Sequence, residues 1–405
     1  MPSRPKQSAP IEPAAEPGLT HHALLPAGLN DGLPPDAEHE AAIVERLIRG
    51  FAGYGYERVK PPLVEFEETL LGGAGAGMAN RTFRLMDPVS RRMMGVRADM
   101  TLQIARIAAT RLVNVPRPLR LSYAGDVLRV AGSQLSPERQ FMQVGAELIG
   151  SAAVTADAEI IVMAAESLRA LGVANLSVDL NAPSLATALI AELGFDRNQT
   201  KRLRVALDRK DAAAVAELTA SRGGAQFAAL MAATGSAARG RAAIAALDLP
   251  ASAGALRDRL VSVVDLLGRA APDLALTIDP IENRGFEYHT GVSFSIFSRG
   301  VRGELGRGGR YAAGEAGEPA TGFTLYMDTM LRALPAASTG RRVYLPAGTP
   351  AADGQRLRAE GWSTVAALES ADNRAADDHA AEARRLRCSH VWRDGAARLV
   401  EEKST

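Results

Sequence analysis

Apolar residues at Val44, Leu47, Ile48 and Phe51 recur at the spacing of one helix face, behind a start signal of Pro34-Pro35-Asp36. This predicts a helix over 34–51, ended by Gly53 and Gly55. YERVKPPLVEF then reads as an extended run whose two prolines place it at an edge or interface rather than mid-sheet. Residues 81–101 alternate about Asp87-Pro88, which predicts a hairpin, and 101–113 returns to helical spacing before Val115-Pro116. LRLSYAGDVLRVAG and ERQFMQVGAELIG predict two strands, 155–171 a helix and 176–180 a strand. From about 183 to 270 the pattern changes to short alanine-rich helices with no convincing strand. Sheet character resumes in LALTIDP, GFEYHTGVSFSIF and GELGRGGRY, followed by a predicted helix around 322–334. Beyond Thr339-Gly340 the chain restarts with strands at VYLPAG, STVAAL and HVWRD and a helix near 350–360. The expected fold class is α+β: an antiparallel sheet flanked by helices, a helical insertion, and a small α/β domain. The expected divisions are a disordered extension over 1–30, a core over 31–338 with its insertion at about 183–270, and a truncated C-terminal domain over 339–405.

Composition narrows this picture. The 405 residues are 47% hydrophobic and carry 47 basic against 46 acidic side chains. That balance disfavours a protein whose main partner is a nucleic-acid backbone. One cysteine, Cys388, cannot form an internal bridge, and no run approaches the roughly 20 apolar residues of a membrane span. A reducing, cytoplasmic location is expected.

Three glycine clusters, LGGAGAGM, GELGRGGRY and AAGEAG, lack the spacing of a nucleotide loop and read as mobile loops. No histidine or cysteine spacing suits a metal, and no cofactor is implied. More informative are Arg129, Gln143, Glu147, Arg284, Glu287 and Tyr288, polar residues inside strands otherwise rich in Leu, Val and Phe. Charges among buried strands are costly unless paired or bound to ligand. An arginine fork for a carboxylate, an acid for an ammonium, and an acid with a tyrosine for a polar side chain suit a small zwitterion. A purely structural ion-pair network is the competing interpretation.

These residues also carry a resemblance. The segment over roughly 30–335 resembles the class II aminoacyl-tRNA synthetase catalytic domain, and within it the histidyl-tRNA synthetases. YGYERVKPPLVE, with Pro62 and Glu65, resembles the dimer-interface motif. VRADMT resembles the segment that binds the substrate amino group, and VLRVAGSQLSPERQFMQVGAELIG the second class motif. RGFEYHTG resembles the histidine-specific signature, and GRGGRY with ATGFTLYMDTMLRAL the approach to the third motif. The resemblance implies a histidine pocket in which Asp99, Thr101 and Gln143 hold the ammonium and Arg129 the carboxylate. Glu147 and Tyr288 would face the imidazole. His289 replaces the second aromatic of the signature, and Arg284 is the arginine that the family uses in activation.

The departures fall on the nucleotide side. Ala131 stands where the family has the glutamate that binds adenine, Thr329 where it has the arginine on the ATP tail, and Tyr326 where it has a glycine. Losing one preorganised charge-stabilising group typically costs about 10²–10³ in rate. A histidine site without an ATP site resembles the regulatory subunits of ATP phosphoribosyltransferase. That likeness implies a non-catalytic homodimer that joins a short-form catalytic subunit in the first step of histidine biosynthesis. It would take histidine as effector and bind no tRNA and no membrane. A divergent histidyl-tRNA synthetase and an amino-acid sensor with another partner are the alternatives.

Overall fold

The computed structural model describes residues 24–132, 136–282, 289–336, 340–368 and 376–400. The chain divides into two compact units, one running to Pro335 and the other from Ala336 onward together with Pro34–Asp36.

In the first unit, helix α1 (Asp36–Gly53) buries Ile43, Val44, Leu47, Ile48 and Phe51, the stripe its periodicity predicts. Short strands β1 (Glu57–Arg58) and β2 (Val64–Phe66) and helix α2 (Glu67–Leu70) follow. The glycine-rich stretch expected to be a loop instead carries a 3-10 helix over Gly73–Arg81. The predicted hairpin is β3 (Arg84–Met86) with β4 (Met93–Val96); the Asp87 carboxylate accepts the turn's Val89 and Ser90 N–H groups. Helix α3 (Thr101–Thr110) buries Ile104, Ala105 and Ala108 in a cluster with Leu119 and Leu121 of β5 (Leu119–Leu128).

Strand β6 (Gln140–Ile149), helix α4 (Val154–Ala170) and strand β7 (Leu176–Asn181) lead into the helical segment. This comprises α5 (Pro183–Glu192), α6 (Arg197–Asp208), α7 (Ala212–Thr219), α8 (Gly224–Ala232), α9 (Ala237–Ala245) and α10 (Ala251–Ala270). Its one departure from expectation is a two-residue strand, β8 (Gly235–Ser236), which pairs with β9 (Ala275–Asp279) at the sheet's far edge. The sheet is completed by β10 (His289–Ser298), β11 (Gly306–Ala313) and β12 (Glu318–Tyr326), and α11 (Met327–Ala333) closes the unit.

The large sheet runs β1-β5-β6-β12-β11-β10-β7-β9-β8. Its middle is antiparallel as expected, but β1 pairs with β5 and β7 with β9 in parallel, so the sheet is mixed. The helix expected from residue 322 starts only at Met327. Residues up to Tyr326 form β12, a strand held on both sides by β6 and β11. Ala320 to Leu325 are all buried. A strand covered on both faces has no alternation to betray it, so a continuous apolar run is ambiguous in sequence.

The second unit contains β13 (Arg342–Leu345), α12 (Ala351–Ala359), β14 (Ser363–Ala366), α13 (Ala376–Arg385), β15 (His390–Arg393) and β16 (Ala396–Leu399). The strands lie in the order β14-β13-β15-β16. Alternation along β13 sends Val343 and Leu345 into one apolar cluster with Leu357 and Trp392. It sends Tyr344 into another with Ala383, Cys388 and Val391. α13 and β16 carry no sequence signal strong enough to predict.

Candidate functional site

Residues directly opposite one another on neighbouring strands share a face of the sheet, so the register dictates which side chains meet. Gln143, Gly145 and Glu147 alternate along β6. Across β5, Tyr123 lies opposite Gly145; across β12, Gly322, Thr324 and Tyr326 lie opposite Glu147, Gly145 and Gln143. One strand further, Tyr311 of β11 faces His289 of β10. The result is a polar strip across the middle of an otherwise apolar sheet.

The strip has two poles, separated along β6 by four residues, or roughly 13 Å of strand. At one pole Glu147 is 1% exposed, and the Tyr311 hydroxyl donates to its Oε2 at 2.9 Å. The Tyr123 hydroxyl donates to Oε1 at 3.2 Å and lies 2.8 Å from the Thr324 hydroxyl and 3.3 Å from that of Thr101. Burial pushes the Glu147 carboxyl up to about 8, outweighing these hydrogen bonds, and the nearby Asp99 charge acts in the same direction. Glu147 is therefore largely protonated at neutral pH, and a buried N–H or cationic group set against it would favour its ionised form. Burial raises the Tyr123 phenol as well, so it stays a donor.

At the other pole the buried Gln143 side chain bridges two groups. Its Nε2 donates to Asp99 Oδ2 at 3.0 Å, and its Oε1 accepts the Met100 N–H at 3.0 Å. The Thr101 N–H donates to Asp99 Oδ1 at 2.9 Å at the start of α3. Asp99 stays half-buried, a carboxylate held in place by donors and open on one side, as a ligand ammonium requires.

Two glycines make the Glu147 pole possible. A Cβ at Gly322 would fall on the Glu147 carboxylate, and a Cβ at Gly145 would fall on the Tyr123 hydroxyl. Strands β6 and β12 thus leave room for side chains that reach across from neighbouring strands.

Of the residues singled out in sequence, Asp99, Thr101, Gln143 and Glu147 come together. Arg129 lies one residue beyond β5, with its guanidinium 4.6 Å from the Phe141 ring centre and 5.9 Å from that of Tyr326. Phe141 and Tyr326 themselves meet edge to face at 6.0 Å, so this end of the strip is a stack of two rings and a cation. Thr329 is buried in α11 and its hydroxyl accepts from Arg332 at 3.1 Å, whereas Ala131 is exposed. His289 is buried at the start of β10, where its carbonyl accepts from the Ser184 hydroxyl at 3.3 Å. Arg284, Glu287 and Tyr288 lie outside the described residues. Sequence reasoning missed Tyr123, Tyr311 and Thr324, which join the strip only once the register of β5, β6, β12 and β11 is known.

Among the described residues no group of three His, Cys, Asp or Glu side chains suits a metal ion, and no helix is long and apolar enough to cross a membrane.

Comparison with known proteins agrees with the geometry. The sequence profile of the histidyl-tRNA synthetase family matches residues 28–330. The chain is 58% identical to an ATP phosphoribosyltransferase regulatory subunit of Rhodospirillum centenum, over 94% of this chain and 97% of that protein. Among solved structures, an ATP phosphoribosyltransferase regulatory subunit/histidyl-tRNA synthetase from Bacillus halodurans shares the fold. It superposes with a TM-score of 0.75 at 23% identity, over 91% of this chain and 97% of that one. An ATP phosphoribosyl transferase complex from Thermotoga maritima superposes with a TM-score of 0.57 at 18% identity, over 71% and 97% respectively.

Proposed function

The chain belongs to the ATP phosphoribosyltransferase regulatory subunits, relatives of the histidyl-tRNA synthetases, and on that premise we propose that its sheet face is a histidine-sensing pocket. Family membership makes it a regulatory, non-catalytic subunit in histidine biosynthesis. Its partner is a catalytic phosphoribosyltransferase subunit, of the short form that lacks its own regulatory domain. The chain itself pairs as a homodimer through the synthetase-like core. Histidine is the effector and tRNA is not a ligand.

The observation that carries the pocket reading is the presence of two acidic groups along one strand face, Glu147 on the strand itself and Asp99 held to it by Gln143. Asp99, held by Gln143 and the Thr101 N–H, takes the ammonium; Glu147, held by Tyr311 and Tyr123, takes an imidazole N–H. Arg129 supplies the positive charge for the carboxylate. Tyr288, His289 and Arg284 complete the side-chain end by resemblance. Glu147 binds an imidazole by passing its proton to the unprotonated ring nitrogen, which leaves a carboxylate facing an imidazolium. The charge it gains is then paired at close range in a dry site, where it is worth far more than in water.

By the same resemblance, the residues that adenylation needs are replaced. Ala131 and Thr329 bring neither the adenine-binding carboxylate nor the phosphate-binding guanidinium, and Tyr326 fills space against Phe141. Feedback then requires that histidine bind two arrangements of the complex with different affinity. Histidine-dependent ATP–pyrophosphate exchange and co-purification with the short catalytic subunit test this reading. The expected result is no exchange, a stable complex, and phosphoribosyltransferase activity that falls as histidine is added. Robust exchange would instead make the chain a synthetase.

A further inference from the structure

Behind the strip, on the opposite face of the sheet, one buried carboxylate holds two arginines from different parts of the unit. Asp157, in the first turn of α4, is 2% exposed. Its Oδ1 accepts from Arg310 Nε of β11 at 2.9 Å, and its Oδ2 accepts from Arg259 Nε of α10 at 2.9 Å. The spare donors of both guanidinium groups go to the chain just before α4. Arg310 reaches the carbonyls of Ser151 at 2.8 Å and Ala153 at 3.2 Å, and Arg259 those of Ala152 at 2.9 Å and Ala153 at 3.3 Å. Three consecutive carbonyls and one carboxylate are thereby locked between the sheet and the last helix of the insertion.

The placement of this node is what gives it meaning. Arg310 precedes Tyr311, which points to the other face and donates to Glu147. Residues 151–153 follow β6, the strand that carries Gln143 and Glu147. Two of the strands that build the Glu147 pole, β6 and β11, are therefore fastened at one point, and half of the fastening comes from α10. Two cations on one buried anion also make the node asymmetric. Without Arg259 a neutral Asp157–Arg310 pair remains, whereas without Asp157 two cations face each other unpaired. Loss of Arg259 thus loosens the tie to the insertion without leaving an uncompensated buried charge.

We propose that Arg259, acting through Asp157 and Arg310, is a positioning residue that makes the hold of Tyr311 on Glu147 depend on how the helical insertion is seated. This rests on the pocket reading above. A protein that moves the insertion would change the pocket's affinity through this node, and by reciprocity a filled pocket would bias the insertion.

A double-mutant cycle with calorimetric histidine titrations tests it, using Arg259→Met, Tyr311→Phe and the double variant. Arg259→Met weakens histidine binding about tenfold in the wild-type background and less than about twofold once Tyr311 is Phe. Arg259→Lys, which keeps the charge but loses the two-pronged grip, falls between; it carries the test if Arg259→Met does not fold. Equal losses in both backgrounds, or a lowered Tm with unchanged affinity, overturn the proposal. Should the wild-type chain bind no histidine, the pocket reading fails by itself, and the node is then judged on the pH dependence of Tm. Among the described residues Tyr123, Tyr311 and Asp99 face Glu147, and Tyr56 also feels its charge. A weakened Tyr311 bond moves the Glu147-linked midpoint upward by roughly half a pH unit. A midpoint that stays in place while Tm falls shows a merely structural clamp.

Discussion

The two ends of one polar strip, a few residues apart on β6, have been treated in opposite ways. Around Glu147 the sheet buries a carboxyl, two phenols and two threonine hydroxyls, and it keeps glycines at 145 and 322 so that these groups fit. Around Phe141 the space is filled by the Tyr326 ring, which meets Phe141 edge to face at 6.0 Å. Burying polar groups is expensive, roughly 1–3 kcal/mol for each one left without a partner, so a protein with no use for the first end would gain by filling it with apolar side chains. Edge-to-face ring packing contributes about 0.5–1.5 kcal/mol and asks for no ligand. On the proposed reading, the first end carries the costs of a binding site, and the second is held by packing alone.

The sharpest way to break this comparison is Glu147→Ala. Truncating one partner of a buried, charge-assisted pair should weaken histidine binding by at least about 100-fold, near 2.7 kcal/mol, measured by calorimetry. It should also abolish histidine inhibition of the assembled enzyme. If inhibition survives intact, the inhibitory histidine sits elsewhere. Gly322→Ala attacks the same end through space alone. The new methyl lands on the carboxylate, and the expected outcome is about 1–3 kcal/mol of lost stability in urea unfolding together with loss of histidine binding.

The other end is sharpened by reversal. Ala131→Glu, Thr329→Arg and Tyr326→Gly combined should raise ATP affinity at least about tenfold in an equilibrium binding assay. No gain would mean that the nucleotide end was not closed through these side chains.

The smallest effect is a pH dependence. The folded Glu147 carboxyl titrates near 8, above the model-peptide value of 4.5, so between those values the native state holds a proton that the unfolded chain has released. Its contribution therefore disfavours folding increasingly as pH rises from about 4.5 to 8. Glu147→Gln, which never ionises, should flatten that part of the Tm profile and lie above wild type at pH 8.

Much of this was legible in the sequence, and the failures have physical causes. The helices announced themselves by one-face spacing, as in α1, and the hairpin by Asp87-Pro88. β12 was misread because Ala320 to Leu325 are buried on both faces, which erases the period that separates strand from helix. Gln143 and Glu147 stood out as polar residues in apolar strands. Tyr123 and Thr324 did not, because a tyrosine or threonine in a strand is unremarkable until its partner is known. Arg310 and Tyr311 adjoin in sequence yet serve opposite faces, one the Asp157 node and the other the pocket, a division that only the strand geometry assigns.

The central claim is that this sheet grips an amino acid and has released the nucleotide. Paired calorimetric titrations of the full-length chain, one with histidine and one with ATP, test it most directly. The account predicts saturable heat with histidine that is lost in Glu147→Ala, and none with ATP in the same concentration range. Tight ATP binding, or histidine binding indifferent to residue 147, would contradict it.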